Sequence, residues 1–88
     1  MNNRIYYKLI CIDSQHAIIA EQQLLNTEID KLKAKRLGRA VIVSINIEDI
    51  EPKELAEINY LLSSVRVHAM AYDDNELTDY DKEEVSKV

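Results

Sequence analysis

The residues that could do chemistry are carboxylates that come directly after predicted strands. One follows the first strand, and two follow each of the other strands: Asp13, Glu48, Asp49, Asp73 and Asp74. In a parallel sheet the carboxyl ends of the strands form the usual ligand crevice. Because Mg²⁺ prefers oxygen ligands, one alternative is a metal-dependent phosphoryl-transfer or nuclease-like site with Asp13 and Asp73 or Asp74 as ligands. The other is that these residues serve as turn residues and helix caps, in which aspartate is common.

No other side chains are spaced for catalysis or cofactor binding. Gly38 is the only glycine, so the sequence has no glycine-rich loop that could bind a phosphate. The only histidines, His16 and His68, have no spacing to Cys11 that is typical of a zinc site or a Cys–His nucleophile. We therefore predict that the protein is not an enzyme and has no catalytic residue, metal or cofactor.

Three segments have the composition of β-strands. Residues 4–12 are rich in β-branched and aromatic side chains, and residues 66–72 form a shorter candidate. Residues 40–47 are apolar almost throughout, which indicates a central strand.

Two segments between these strands have helical patterns. Residues 15–37 place four apolar side chains on one side of a helix, and Gly38, which follows two basic residues, is typical of a helix cap. A break at Asn26 and Thr27 is the alternative, because Thr27 resembles the first residue of a capping box. Residues 52–64 begin with the only proline, which suits the first helical position. The apolar residues of the first helix are Ile18, Leu25, Ile29 and Leu32.

The order of these elements is β-α-β-α-β. Strands that are separated by helices are expected to pair in parallel through right-handed crossovers. The sequence therefore predicts an α/β domain over residues 1–72, with a three-stranded, mainly parallel sheet and two helices. Residues 73–88 are predicted to be an acidic C-terminal tail that can include a short helix at about residues 78–85.

The second face of this sheet is predicted to be apolar. If both helices lie on one face, strand alternation leaves the other face bare, and an exposed apolar face is typical of an interaction site. We therefore predict a homodimer or another protein on this face. The alternative is a doubly wound sheet in which the second helix covers it. The predicted partner-binding residues are Tyr6, Ile10, Ile42, Met70 and Tyr72.

Charge divides the chain into two parts. Residues 1–47 hold seven basic and four acidic residues, and residues 48–88 hold four basic and twelve acidic residues. The basic side chains are densest in residues 31–39. That block could bind phosphates as a nucleic-acid accessory factor, but it lacks interleaved aromatic residues, so a solvated helix end is the simpler interpretation.

The acidic tail has three possible roles. It could be a disordered solubilising end, it could associate with the basic block of its own or a neighbouring subunit, or it could present a phosphate-like surface to a basic protein. On the third interpretation the predicted contacts are Asp73, Asp74, Glu76, Asp79 and Asp81.

The function expected from the sequence is protein binding. The net charge of −5 disfavours nucleic acid as the main partner and favours a basic protein surface. A single cysteine fits a reducing compartment, and no apolar stretch is long enough to span a bilayer, so we predict a cytoplasmic location. We predict a small acidic binding module that inhibits or modulates another, basic or nucleic-acid-binding, protein.

Overall fold

A four-stranded antiparallel sheet organises the computed structural model, which describes residues 3–27, 29–73 and 77–88. The strand order is β2-β3-β1-β4, and a short 3-10 helix at Arg66–His68 precedes the last strand. The elements are β1 (Arg4–Cys11), α1 (Ser14–Leu25), β2 (Leu32–Leu37), β3 (Ala40–Asn46), α2 (Pro52–Val65), β4 (Ala69–Asp73) and α3 (Asp79–Ser86).

The prediction of a three-stranded, mainly parallel sheet with two helices is therefore wrong. Each neighbouring pair of described strands is antiparallel, and the described residues form three α-helices. The cause is the segment after Lys31, which was assigned to the end of the first helix and instead forms β2. Strand β2 runs in the same direction as β1. The tight hairpin after β2 reverses the chain, so β3 is antiparallel to both.

The hairpin turn explains the glycine that was interpreted as a helix cap. Leu37 pairs with Ala40, which leaves Gly38 and Arg39 as a two-residue loop. Gly38 has φ +64°, and Arg39 is not among the positive-φ residues. A positive φ at the first loop position alone is the pattern of a type II′ turn, which favours glycine there.

The segment after the first helix is a strand because its side chains alternate. Leu32 and Ala34 are buried in the main core, whereas Lys33 and Lys35 lie on the other face. Period-two alternation of this kind suits a sheet with different environments on its two faces.

The first helix starts and ends at local hydrogen bonds. The Asp13 carboxylate accepts from the His16 backbone N–H at 2.8 Å and caps its start, and the Thr27 hydroxyl donates to the Leu24 carbonyl at 2.8 Å beyond its end. The helix buries the small face of Ala17, Ala20 and Leu24, so the predicted apolar face was wrong in including Ile18 and Leu25, which are exposed.

The first two helices cover one face of the sheet. The order β-α-β-β-α-β, with β3 between β1 and β2, is the split βαβ arrangement of ferredoxin-like domains. The main core lies between this face and the two helices. It contains Leu9, Cys11, Ala17, Ala20, Leu24, Leu32, Ala34, Val41, Val43, Ile45, Ile58, Leu62 and Val65.

The third helix covers the opposite face of the sheet. It lies against β3 and β2, and Val85 on the helix and Ile42 on β3 are both fully buried outside the main core. The face that was expected to be bare or covered by the second helix is therefore covered by α3. Among the described helices, none is long and apolar enough to cross a membrane.

The outer edge of β2 is bonded to α1. The Glu21 carboxylate accepts a hydrogen bond from the Arg36 backbone N–H at 2.7 Å. Because β2 is at the edge of the sheet, this N–H has no strand partner on that side, and Glu21 satisfies it.

Candidate functional site

The interface beneath α3 is built around one ion pair. Lys8 on β1 lies 3.1 Å from Asp81 on α3, and their side chains are 18% and 9% exposed. Thr78 and Asp81 also form a reciprocal capping box at the start of the helix. Burial alone would raise the pKa of Asp81, but the hydrogen bond from the Thr78 backbone and the Lys8 ammonium outweigh it and lower the pKa. Asp81 therefore holds α3 both internally and to the sheet.

Four cations share the sheet face beneath α3. Arg4 donates to the buried Ser44 hydroxyl at 3.0 Å, which places it on this face. Lys33 and Lys35 are the cross-strand neighbours of Ser44 and Ile42, so they lie on the same face. Much of the predicted basic block thus belongs to a sheet face and not to a helix end. The four cations are Arg4, Lys8, Lys33 and Lys35.

The helix opposite these cations is acidic. The hydrogen bond from Tyr80 is the main cause that lowers the pKa of Glu84, and Lys87 and Lys35 add to it. Helix α3 lies against β2, the strand that carries Lys35. The acidic α3 and the basic strand β2 therefore lie against each other within one molecule.

A small recess opens beside α3. Its volume is about 290 Å³, and the Lys82 ammonium lies 5.4 Å from the centre of the Tyr6 ring, a distance typical of a cation–π contact. The recess is lined by Arg4, Ile5, Tyr6, Tyr7, Leu77 and Lys82.

A larger, mostly apolar groove lies beside α2, on the other side of the molecule. Its volume is about 560 Å³, and Tyr60 in its wall is 78% exposed. Ile29 and Leu61 in the groove also pack against the main core, so its floor is fixed. The lining residues are Thr27, Ile29, Lys53, Ala56, Glu57, Tyr60 and Leu61.

This groove was not predicted from the sequence. One signal was available, because Tyr60 lies off the buried stripe of Ile58, Leu62 and Val65 on α2. The contribution of Ile29 could not be recognised while residues 15–37 were treated as one helix.

Lys31 fixes the loop that leads into α2. Its ammonium donates to the Asp49 carbonyl at 2.9 Å and to the Glu54 carboxylate at 3.3 Å. The hydrogen bond from the Glu51 backbone and the contact with Lys31 lower the pKa of Glu54. Asp49 has φ +55°, so the clamp holds a residue in the left-handed region. Lys31 is therefore engaged in loop structure.

The carboxylates after the strands do not converge. Because β1 and β3 are antiparallel, Asp13 lies at one end of the sheet, and Glu48 and Asp49 lie at the other. Asp73 is the last residue of β4, where its backbone is in register with Lys8 of β1, so β4 ends toward the same side as β3, and Asp74 lies outside the described residues. Within residues 3–27, 29–73 and 77–88 no group of three or more His, Cys, Asp or Glu residues could hold a metal ion.

The two histidines lie together, which their spacing in the sequence did not predict. The His16 and His68 rings are 5.6 Å apart between centroids, and His16 Nδ1 lies 2.8 Å from the Asp13 carboxylate. The backbone hydrogen bond from His16 is the main cause that lowers the pKa of Asp13. Burial raises the pKa of the nearby Cys11 thiol, with a smaller contribution from the Asp13 charge, so Cys11 is a poor nucleophile. This cluster caps α1.

The predicted partner-binding residues of the sheet are in different environments. Tyr6 and Ile10 are half-buried on the face beneath α3, and Ile42 is fully buried there. Met70 is 62% exposed on β4, at the edge of the sheet, and Tyr72 pairs with Leu9. The structure therefore does not combine these residues into one open patch.

The predicted contacts of the tail also separate. Asp79 is exposed at the start of α3, whereas Asp81 is buried against Lys8. Asp73 belongs to β4, and Asp74 and Glu76 lie outside the described residues. Of the predicted contacts on α3, Asp79 is therefore exposed to solvent and Asp81 is already paired within the molecule.

Comparison with known proteins gives no relative: no protein-family model, curated protein or solved structure matches this chain.

Proposed function

We propose that this protein is a cytoplasmic, non-enzymatic binding module that docks onto a basic segment of another protein through the groove beside α2 and thereby inhibits or modulates it. The observation that carries the proposal is the 560 Å³ apolar groove with Tyr60 exposed in its wall. The groove takes the place of the sheet face as the proposed contact, because α3 covers that face.

The lining of the groove supports a protein partner. Tyr60 offers a large, half-apolar side chain, and exposed tyrosines of this kind are common energetic centres of interfaces. Ala56 is small enough to leave room for an incoming side chain, and the floor formed by Ile29 and Leu61 packs on the core. A partner residue can therefore insert with little reorganisation of the groove.

The charge around the groove supports a basic partner. Residues 48–64 contain five acidic residues and one basic residue, of which three acidic residues precede α2 and two lie on it. Glu57 and Lys53 both line the groove itself, so the acidic excess comes from the residues around it. An acidic rim attracts a basic segment during association and disfavours acidic competitors.

The arrangement gives less support to a metal-dependent enzyme. That alternative required the strand-end carboxylates to share one edge of a parallel sheet. Asp13 lies at the opposite end of the sheet from Glu48 and Asp49, and the described residues contain no group of three or more His, Cys, Asp or Glu residues that could hold a metal ion.

The first test identifies a partner and then measures its binding at the groove. Proteins captured with the full chain are purified, and their affinities are measured by calorimetry for the wild type, Tyr60→Ala and Glu57→Lys. We expect Tyr60→Ala to weaken binding by roughly tenfold or more, as for a central aromatic contact. Glu57→Lys should weaken the binding of a basic partner mainly by slowing association.

The matched control is Tyr80→Ala on α3. Tyr80 is an exposed tyrosine, like Tyr60, but it lies on the helix at the opposite face of the sheet. Equal losses of affinity for Tyr60→Ala and Tyr80→Ala would contradict the groove as the docking site. A loss for Tyr80→Ala alone would place the contact on the acidic helix.

The homodimer stays a prediction. It was expected on a bare sheet face, and α3 covers that face. Light scattering of the full chain at several concentrations tests it directly. A constant monomer mass up to high concentration would contradict it.

A further inference from the structure

We propose that the sheet face beneath α3 is a binding surface for single-stranded nucleic acid and that α3 is an internal acidic competitor that closes it. This inference does not depend on the groove beside α2. It rests on the four cations of the face, the ion pair between Lys8 and Asp81, and the small area through which α3 is attached.

The spacing of the cations suits an extended phosphate backbone. Lys33 and Lys35 are two residues apart on β2, and Arg4 and Lys8 are four residues apart on β1 with Tyr6 between them. Alternate residues of a strand are about 7 Å apart on one face. Strand β3 lies between the two rows and contributes Ser44 and Ile42. The face therefore offers two parallel rows of positive charge and one aromatic ring on which a base can stack.

The helix that covers this face presents carboxylates to the same cations. Asp81 pairs with Lys8 at 3.1 Å, and α3, which also carries Glu84, lies against β2, the strand of Lys33 and Lys35. A phosphate that binds these lysines must displace the carboxylates. Nucleic acid and α3 are therefore mutually exclusive on this face.

The attachment of α3 is small enough to be reversible. The helix has eight residues, too few for an isolated helix to be stable, and its buried residues are Asp81 and Val85. The main core lies on the other face of the sheet and involves no residue of α3. The helix can therefore leave the face while the rest of the fold persists.

In the closed state we expect the whole chain to bind nucleic acid weakly despite its basic face. If the open state is less than about a tenth of the population, the measured affinity falls by more than about tenfold. Variants that release α3 should recover that affinity.

The test uses full-length variants and a fluorescein-labelled oligouridylate of 20 nucleotides, with binding followed by anisotropy at low salt. Asp81→Asn removes the partner of Lys8, and Asp79→Asn is its control, because it makes the same charge change at an exposed position of the same helix. Val85→Ser opens the helix without any change of charge. We expect Asp81→Asn and Val85→Ser to bind roughly tenfold more tightly than the wild type, and Asp79→Asn to stay within about twofold.

Charge reversal on the opened protein tests the face itself. In the Val85→Ser background, Lys33→Glu should weaken binding about fivefold or more, whereas Arg66→Glu in the 3-10 helix beside α1 and α2 should have little effect, although both change the net charge by the same amount. Loss of one phosphate contact should also reduce the slope of log affinity against log salt by about 0.7.

Hydrogen exchange of residues 79–86 and of β3 shows whether α3 has opened while the sheet remains folded. Released α3 with an intact sheet and no gain in affinity would overturn the proposal. Equal losses for Lys33→Glu and Arg66→Glu would overturn it as well, since binding would then follow net charge. Equal affinity for inorganic polyphosphate and for the oligonucleotide would overturn the assignment of the ligand as nucleic acid.

Discussion

The two faces of the sheet are covered by helices that use different chemistry. Helices α1 and α2 bury a continuous apolar core against one face, whereas α3 is held to the other by Val85, a largely buried ion pair and a cation–π contact. Apolar burial is insensitive to salt and pH in the ordinary range, and charge pairing is not. The face covered by α1 and α2 therefore maintains the fold, and the attachment of α3 to the other face depends on salt and pH.

The largest expected effect is on the apolar face. Leu9→Ala removes a fully buried side chain from the centre of the main core and should lower the free energy of unfolding by about 3–4 kcal/mol. Urea denaturation followed by circular dichroism measures it. The matched control is Leu25→Ala on α1, which is half-exposed and should cost less than about 1 kcal/mol. Similar costs for both leucines would contradict the assignment of the core.

A smaller effect is expected beneath α3. Asp81→Ala breaks the ion pair with Lys8 and the capping box with Thr78. It should lower the free energy of unfolding of α3 by about 2–3 kcal/mol. Hydrogen exchange should show faster exchange in α3 and little change in β1. If exchange in β1 accelerates as much as in α3, the two faces unfold as one unit and the comparison fails.

Acidification should affect the same face selectively. The pKa of Asp81 is lowered in the folded protein, so its stabilising contribution is fully present above its ordinary value of 3.8 and is lost as the pH falls below that value. We expect α3 to be released in this range before the main core unfolds. Amide signals of residues 79–86 and of β3, followed by NMR during an acid titration, measure the order. Simultaneous loss of both sets would contradict it.

The smallest expected effect is at the edge of the α3 interface. Lys82→Gln removes the charge over the Tyr6 ring and should cost about 0.5 kcal/mol, as for an exposed cation–π contact. In a domain of this size that lowers the melting temperature by roughly 2–4 °C. Lys82→Arg should retain the contact. A lower melting temperature for both variants would assign the effect to helix packing.

Much of the local structure could be predicted from the sequence. Strands β1 and β3 and helix α2 match the predicted segments within one residue at each end, because each has a long, consistent pattern. The side chains of β1 and β3 also alternate between the two faces, since Leu9, Val41 and Val43 belong to the main core and Ile42 lies on the other face. These elements all contribute side chains to the apolar core.

The sheet topology was missed because of one ambiguous segment. Residues 32–37 contain alternating Leu32, Lys33, Ala34 and Lys35, but Leu32 also continues the helical spacing of the preceding residues. Basic residues before Gly38 fit a helix cap as well as a hairpin. Only the pairing with β3 distinguishes the two, and long-range pairing is not encoded in local propensity.

The candidate surfaces were harder to predict than the strands. The division of charge between the two parts of the chain was visible in composition, but the contact between Lys8 and Asp81 joins positions 73 residues apart. The groove needs a loop from the first half of the chain to lie beside α2. Surfaces assembled from distant segments depend on topology, and the predicted topology was wrong.

The bond between Glu21 and the Arg36 backbone has a consequence for polymerisation. Exposed edge strands allow identical sheets to add to one another, and β2 is one of the two edges of this sheet. Glu21 accepts the hydrogen bond from the outward N–H of Arg36, so a second copy that adds to β2 must first displace this carboxylate. It must also approach Lys33 and Lys35 on the same strand. The Glu21 side chain of the neighbouring helix thereby opposes the addition of further strands at this edge.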